Sequence, residues 1–175
     1  MVQVAAATSL DLQGSIVSNN ALFKAGPGTL QLSGRQFVGG DVTVAGGTLR
    51  MGAGQLNAIQ AYGSSINVEK GATLDLNGGT QFFGRISSFG LSSGAGGTIT
   101  SSAAANLVLN SQGDNTFAGE LTGASLNFLR TGSWTTINFQ SASSFGGRFI
   151  NAGGSFDLRD DGALTGISEL VVNYG

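Results

Sequence analysis

Apolar and polar residues alternate in short bursts along this chain, at Leu10-x-Leu12, Leu30-x-Leu32, Val42-x-Val44, Ile66-x-Val68 and Leu74-x-Leu76. The same pattern continues at Leu107-x-Leu109, Leu126-x-Phe128, Ile137-x-Phe139 and Phe156-x-Leu158. A period of two turns one side of a strand inward. No stretch of a dozen residues keeps a 3.6-residue stripe, so the pattern predicts strands throughout and little or no helix.

The bursts recur at a nearly constant step. Gly28-Thr29-Leu30-x-Leu32 returns nineteen residues later as Gly47-Thr48-Leu49-x-Met51. The first apolar residues of the threonine- or serine-led strands are Leu10, Leu30, Leu49, Leu74 and Ile99, spaced by 20, 19, 25 and 25. Leu107 to Leu126 and Ile137 to Phe156 each repeat at nineteen, and the intervals of 8 and 11 between these series read as second strands within a coil. A period near twenty is the mark of stacked coils, because one coil cannot cover its own inward leucines. The prediction is an all-β fold, a single-stranded parallel β-helix (β-solenoid) of about seven or eight coils. Residues 1–175 form one solenoid domain in this reading, with an irregular Ser/Gly-rich loop near 84–98, where Ser87 to Gly97 offers few inward anchors.

Glycines at Gly26, Gly28, Gly34, Gly39, Gly40, Gly46, Gly47 and Gly52 are expected to supply positive φ at the corners. Asn77-Gly78 and Asp161-Gly162 are tight-turn signals that suit a corner or a hairpin equally.

Composition narrows the chemistry. Only 10% of the 175 residues are charged, with 8 basic and 10 acidic side chains, so no basic stripe exists to neutralise phosphates and nucleic acid is not an expected partner. There is no cysteine and no histidine, which removes thiolate and imidazole chemistry, both as nucleophile or base and as metal ligand. No apolar run is long enough to span a membrane, and no membrane insertion is expected. Met1 is followed by no basic leader, and no polyhistidine tag is visible, which favours a native start at Met1.

The segment Leu22-Phe23-Lys24-x-Gly26-x-Gly28-Thr29-Leu30-x-Leu32-x-Gly34-x-x-Phe37-x-Gly39, followed by Val42-x-Val44-x-x-Gly47-Thr48-Leu49, resembles the passenger-associated transport repeat of bacterial autotransporters. A weaker copy runs Leu107-x-Leu109, then Asp114-Asn115-Thr116-Phe117-x-Gly119-x-Leu121. The resemblance implies coils of a right-handed parallel β-helix in an exported surface protein. It implies no catalysis: the leucines and phenylalanines would pack inward and the glycines would turn corners.

Three candidate chemistries remain. Asp157, Asp160 and Asp161 form the densest ionic cluster and are a weak calcium candidate, with a solvated turn as the plainer account; the same acids make a poor glycosidase pair. No cofactor is expected. The aromatics Phe82, Phe83, Phe89, Phe117, Phe128, Phe139, Phe145, Phe149 and Phe156 read mainly as inward stacking between coils, and Trp134 is the best candidate for an exposed surface-binding residue. The mostly apolar Glu169–Gly175 strand offers an edge to a neighbouring subunit, so a homo-oligomer or array is expected, with a surface glycan as a second partner.

The sequence reading is thus a non-enzymatic structural protein of an extracellular or particle surface. Its first form is a virion component, a capsid decoration or tail protein, and its alternative is a fragment of a secreted autotransporter passenger or adhesin with a glycan- or protein-binding face. The expected location is a virion surface or the cell surface.

Overall fold

The computed structural model of the chain describes residues 1–60, 64–110, 113–132 and 135–173. Its strands fall into three faces, each coil adding one strand to each face. The first face stacks Val2–Gln3, Leu22–Ala25, Val42–Val44, Ser65–Val68, Arg85–Ser87, Asn115–Phe117, Thr136–Phe139 and Ser155–Leu158. The second stacks Ser9–Leu12, Thr29–Leu32, Gly47–Met51, Ala72–Asp75, Thr98–Thr100, Glu120–Leu121, Ala142–Ser143 and Ala163–Leu164. The third stacks Val17–Ser18, Gln36–Val38, Ile59–Gln60, Thr80–Phe83, Ala105–Asn110, Leu126–Thr131, Arg148–Asn151 and Glu169–Val172. Every pairing between these strands is parallel, and the described strands count out eight coils, so the solenoid prediction holds. No helix occurs among the described residues, so none is long and apolar enough to cross a membrane.

The second face carries the predicted ladder in register. Leu10 pairs with Leu30, Leu30 with Leu49, Leu49 with Leu74, Leu74 with Ile99 and Ile99 with Leu121. From Leu30 to Leu121 every member is fully buried, which is what stacking achieves for residues no single coil can cover. The third face corrects one register. Leu107 pairs with Phe128, and Leu126 pairs with Ala105. Alternation fixes which side a residue faces, but two inward residues per strand compete for each partner, and only the corner lengths decide between them. Phe128 and Phe149 stack with ring centroids 5.0 Å apart, and Phe139 meets Phe128 edge-on at 5.5 Å, so the aromatic core lies in the later coils.

The expected loop near 84–98 is shorter than predicted. Arg85–Ser87 is a strand, with Ile86 buried and paired with Ile66, and the irregular stretch is 88–97. The corner glycines also need correcting. Of the eight named, only Gly26 and Gly47 have positive φ, at 78° and 61°. Gly28 is required for a different reason, since a Cβ there would sit 2.1 Å from the Ala5 carbonyl oxygen of the coil before. Asn77 and Gly78, with φ of 47° and 80°, turn a corner of the solenoid and close no hairpin.

Two cations are sealed in the stack. Lys24 donates to the carbonyls of Gly26, Gly28 and Gly46 at 2.6, 2.7 and 2.7 Å. Arg130 reaches Asn151 Oδ1 at 3.2 Å, the Gly153 carbonyl, the Thr135 carbonyl and Thr135 Oγ1. Burial pushes the Lys24 amine and the Arg130 guanidinium below their usual values, with Asp114 acting the other way on Arg130.

Candidate binding groove

On the first face, strand side chains of coils 3 to 7 alternate between the core and an outward row that begins Thr43, Asn67, Ser87. Parallel stacking places these like groups above one another, so they bond from coil to coil. Asn67 Nδ2 donates to Thr43 Oγ1 at 3.3 Å, and the Ser87 hydroxyl bonds Asn67 Oδ1. In the later coils Thr116 pairs with Asn138, whose Nδ2 donates to Thr116 Oγ1 and to the Asn115 carbonyl, each at 3.3 Å. The Asn138 side-chain oxygen is buried and has no hydrogen-bond partner among the described residues.

This row is the floor of a groove of about 420 Å³. Residues 88–97 are a strap laid along the stack, and its Ser88, Phe89 and Leu91 form one wall. The Phe89 N–H donates to both oxygens of Glu69 in coil 4 at 3.2 Å. Ser88 Oγ accepts from the Ala118 N–H of coil 6 at 3.2 Å, and the Gly94 N–H donates to Ser141 Oγ of coil 7 at 2.9 Å. Held this way, the Phe89 side chain stands 70% exposed beside the groove, with Leu91 next to it at 61%.

Three charged residues complete the lining. Asp41 Oδ1 accepts the Ser65 N–H at 2.8 Å and Asp114 Oδ1 the Thr136 N–H at 2.6 Å; the second oxygen of each carboxylate has no hydrogen bond among the described residues. The side chain of Arg85, from the strand between them, makes no hydrogen bond or ion pair among the described residues. Its Nη1 lies beside the backbone of Gly113, 3.7 Å from where a Cβ would stand. The arrangement can accept, donate and stack.

The site residues named from sequence lie elsewhere. Asp157 is on the last coil, with Oδ2 accepting from Arg159 Nη2 at 2.9 Å. Asp160 adopts φ of 51° in the turn that follows, and Asp161 is exposed beside it. Among the described residues no three acids come together in a way that could hold a metal ion. Trp134 lies outside the described residues. Of the aromatics read as inward, Phe83, Phe117, Phe128, Phe139, Phe145 and Phe149 are buried, whereas Phe82 and Phe89 face solvent. For Phe89 the reason is the strap, whose residues carry no alternation to fix a side. Sequence reasoning therefore missed the groove: Asp41, Arg85 and Asp114 are far apart in the chain and share a surface only through the stacking. The one available signal was the step of 25 from Leu74 to Ile99, which shows that this coil carries extra residues.

The structure thus defines a parallel β-solenoid with a polar lateral groove. The comparisons agree with that class. Over 181 aligned residues the chain is 32% identical to the adhesin BmaC autotransporter of Brucella suis biovar 1 (strain 1330), an alignment that takes in 97% of this chain. The chain spans 5% of that protein's length. The passenger-repeat resemblance is thus matched both by a homologous autotransporter adhesin and by the β-solenoid fold. No protein-family model matches the chain, and no solved structure matches it.

Proposed function

We propose that this chain is a segment of an autotransporter passenger that acts as an adhesin at the bacterial surface, by binding and without catalysis. The observation that carries the reading is the alignment of nearly the whole chain with an autotransporter adhesin, on a fold whose eight coils form a stiff outward-facing scaffold. The alternative drawn from sequence is therefore preferred to the virion component, for which the comparisons offer no support. Binding is assigned to the first-face groove.

The non-enzymatic part of the reading is supported by the spacing of the groove acids. Asp41 precedes the coil 3 strand and Asp114 the coil 6 strand, so the two stand three coil rises, roughly 14 Å, apart. Carboxylate pairs that hydrolyse glycosides stand about 5–9.5 Å apart.

Display of the 175-residue chain on a non-adherent bacterium tests this. Attachment to cultured epithelial monolayers should rise above that of the same strain displaying an unrelated β-solenoid. Equal attachment by the two strains would overturn the reading.

A further inference from the structure

Resting on the adhesin reading, we propose that the first-face groove binds a neutral oligosaccharide laid along the solenoid axis. Phe89 is its stacking platform, and Arg85, Asp41 and Asp114 are its hydrogen-bonding groups.

Phe89 is the first reason. The fold buries most of its phenylalanines, yet it fixes this one outward by tying its backbone N–H to Glu69 and its strap to coils 6 and 7. An exposed ring at the edge of a polar groove suits the apolar face of a pyranose, whose C–H groups stack on an aromatic surface. An equally placed ring with an apolar floor would instead suit a peptide or another protein. Here the floor is hydroxyl and carboxamide, and the apolar side chains of the lining, Phe89 and Leu91, stand on the strap above it.

The second reason is the hydrogen-bonding inventory. Asp41 and Asp114 each commit one oxygen to a backbone N–H and keep the other for a donor. Arg85 offers donors that nothing described in the fold takes. Sugar hydroxyls are donor and acceptor at once, so one ligand type answers all of these groups. The floor repeats with the coil rise of about 4.8 Å, close to the length of one pyranose unit, so successive sugars meet successive coils.

Charge then selects among sugars. Two carboxylates and one guanidinium leave the groove net negative, which repels sulfated, sialylated or phosphorylated chains and accepts neutral ones.

The test is titration of the 175-residue chain with cellotetraose, maltotetraose, mannotetraose and chitotetraose, by calorimetry and ligand-observed NMR. A heparin tetrasaccharide and an extended uncharged peptide serve as the rival probes. The expected result is binding of at least one neutral tetrasaccharide, with an affinity that hardly changes between low and physiological salt. Phe89→Ala should weaken it about tenfold and Arg85→Gln about fivefold, with circular dichroism and unfolding midpoint as in the parent. Phe89→Tyr should restore most of the affinity, which a general loss of structure would not allow. The proposal is overturned if no neutral probe binds, if both variants bind as the parent does, or if heparin or the peptide is preferred. Attachment of the displaying bacteria separates this outcome from failure of the adhesin reading. Attachment that survives without sugar binding sinks the groove alone, and sugar binding without attachment sinks the adhesin reading alone.

Discussion

A lysine in an alternating strand usually marks the solvent side, yet Lys24 sits in the inward row, in register with Val2 on one side and Val44 on the other. Its ammonium takes three carbonyls from the glycine corners of two successive coils, so a side chain that would be costly to bury becomes a pin between them. Replacing it with methionine keeps the volume but leaves three carbonyls without a donor. Lys24→Met is expected to lower the unfolding free energy by about 3 kcal/mol, measured by urea denaturation, whereas the same change at exposed Lys70 should have little effect. The position was legible: Leu22 and Lys24 share parity within the repeat motif, so one faces inward only if the other does. What hid the role was the nature of the residue, because alternation orders positions without saying which polar group finds partners at a corner.

At the scale of the element, the strap is the part of the fold that departs from the repeat. Its ten residues cross several coils, fixed at Glu69, Ala118 and Ser141, and they convert a flat sheet face into a walled groove. Removing one anchor should loosen the strap without unfolding the stack. In Ser141→Ala the Gly94 amide loses its acceptor, and hydrogen exchange there is expected to speed up by at least about tenfold, while amides in the Leu30 to Ile99 ladder keep their protection. Uniform acceleration across the ladder would contradict a strap that opens on its own. The ladder strands were readable residue by residue, since Leu10, Leu30, Leu49, Leu74 and Ile99 pair as spaced. The groove was not, because a stretch such as Ser92-Ser93-Gly94 carries a turn signal but no alternation to say against which coils it lies. Its closing residues are fixed by tertiary hydrogen bonds that no local pattern encodes.

Across the whole molecule the three sheets are interrupted at different heights. The first face breaks between Arg85–Ser87 and Asn115–Phe117, the second between Glu120–Leu121 and Ala142–Ser143, and the third between Ile59–Gln60 and Thr80–Phe83. Among the described residues no two breaks fall at the same level, so at every level at least two faces carry continuous pairing. The two end coils differ from the interior, with Leu10 and Val17 exposed at one end and Leu170 and Val172 at the other, the latter 51% and 52% exposed. In the isolated 175-residue chain, unpaired strand edges beside such residues are expected to favour end-on contact between copies. Sedimentation equilibrium should show an average mass that climbs with protein concentration, and Leu170→Lys combined with Val172→Lys should hold the chain at its monomer mass. A parent chain that stays monomeric throughout would exclude end-on contact. The sealed position of Lys24 also gives the folded chain a chemical clock. Of its two lysines, Lys70 is exposed and Lys24 is not, so an acylating reagent should modify Lys70 at once and Lys24 only in molecules whose second and third coils have parted. The lag between the two adducts, followed by mass spectrometry, would time how often the scaffold breathes.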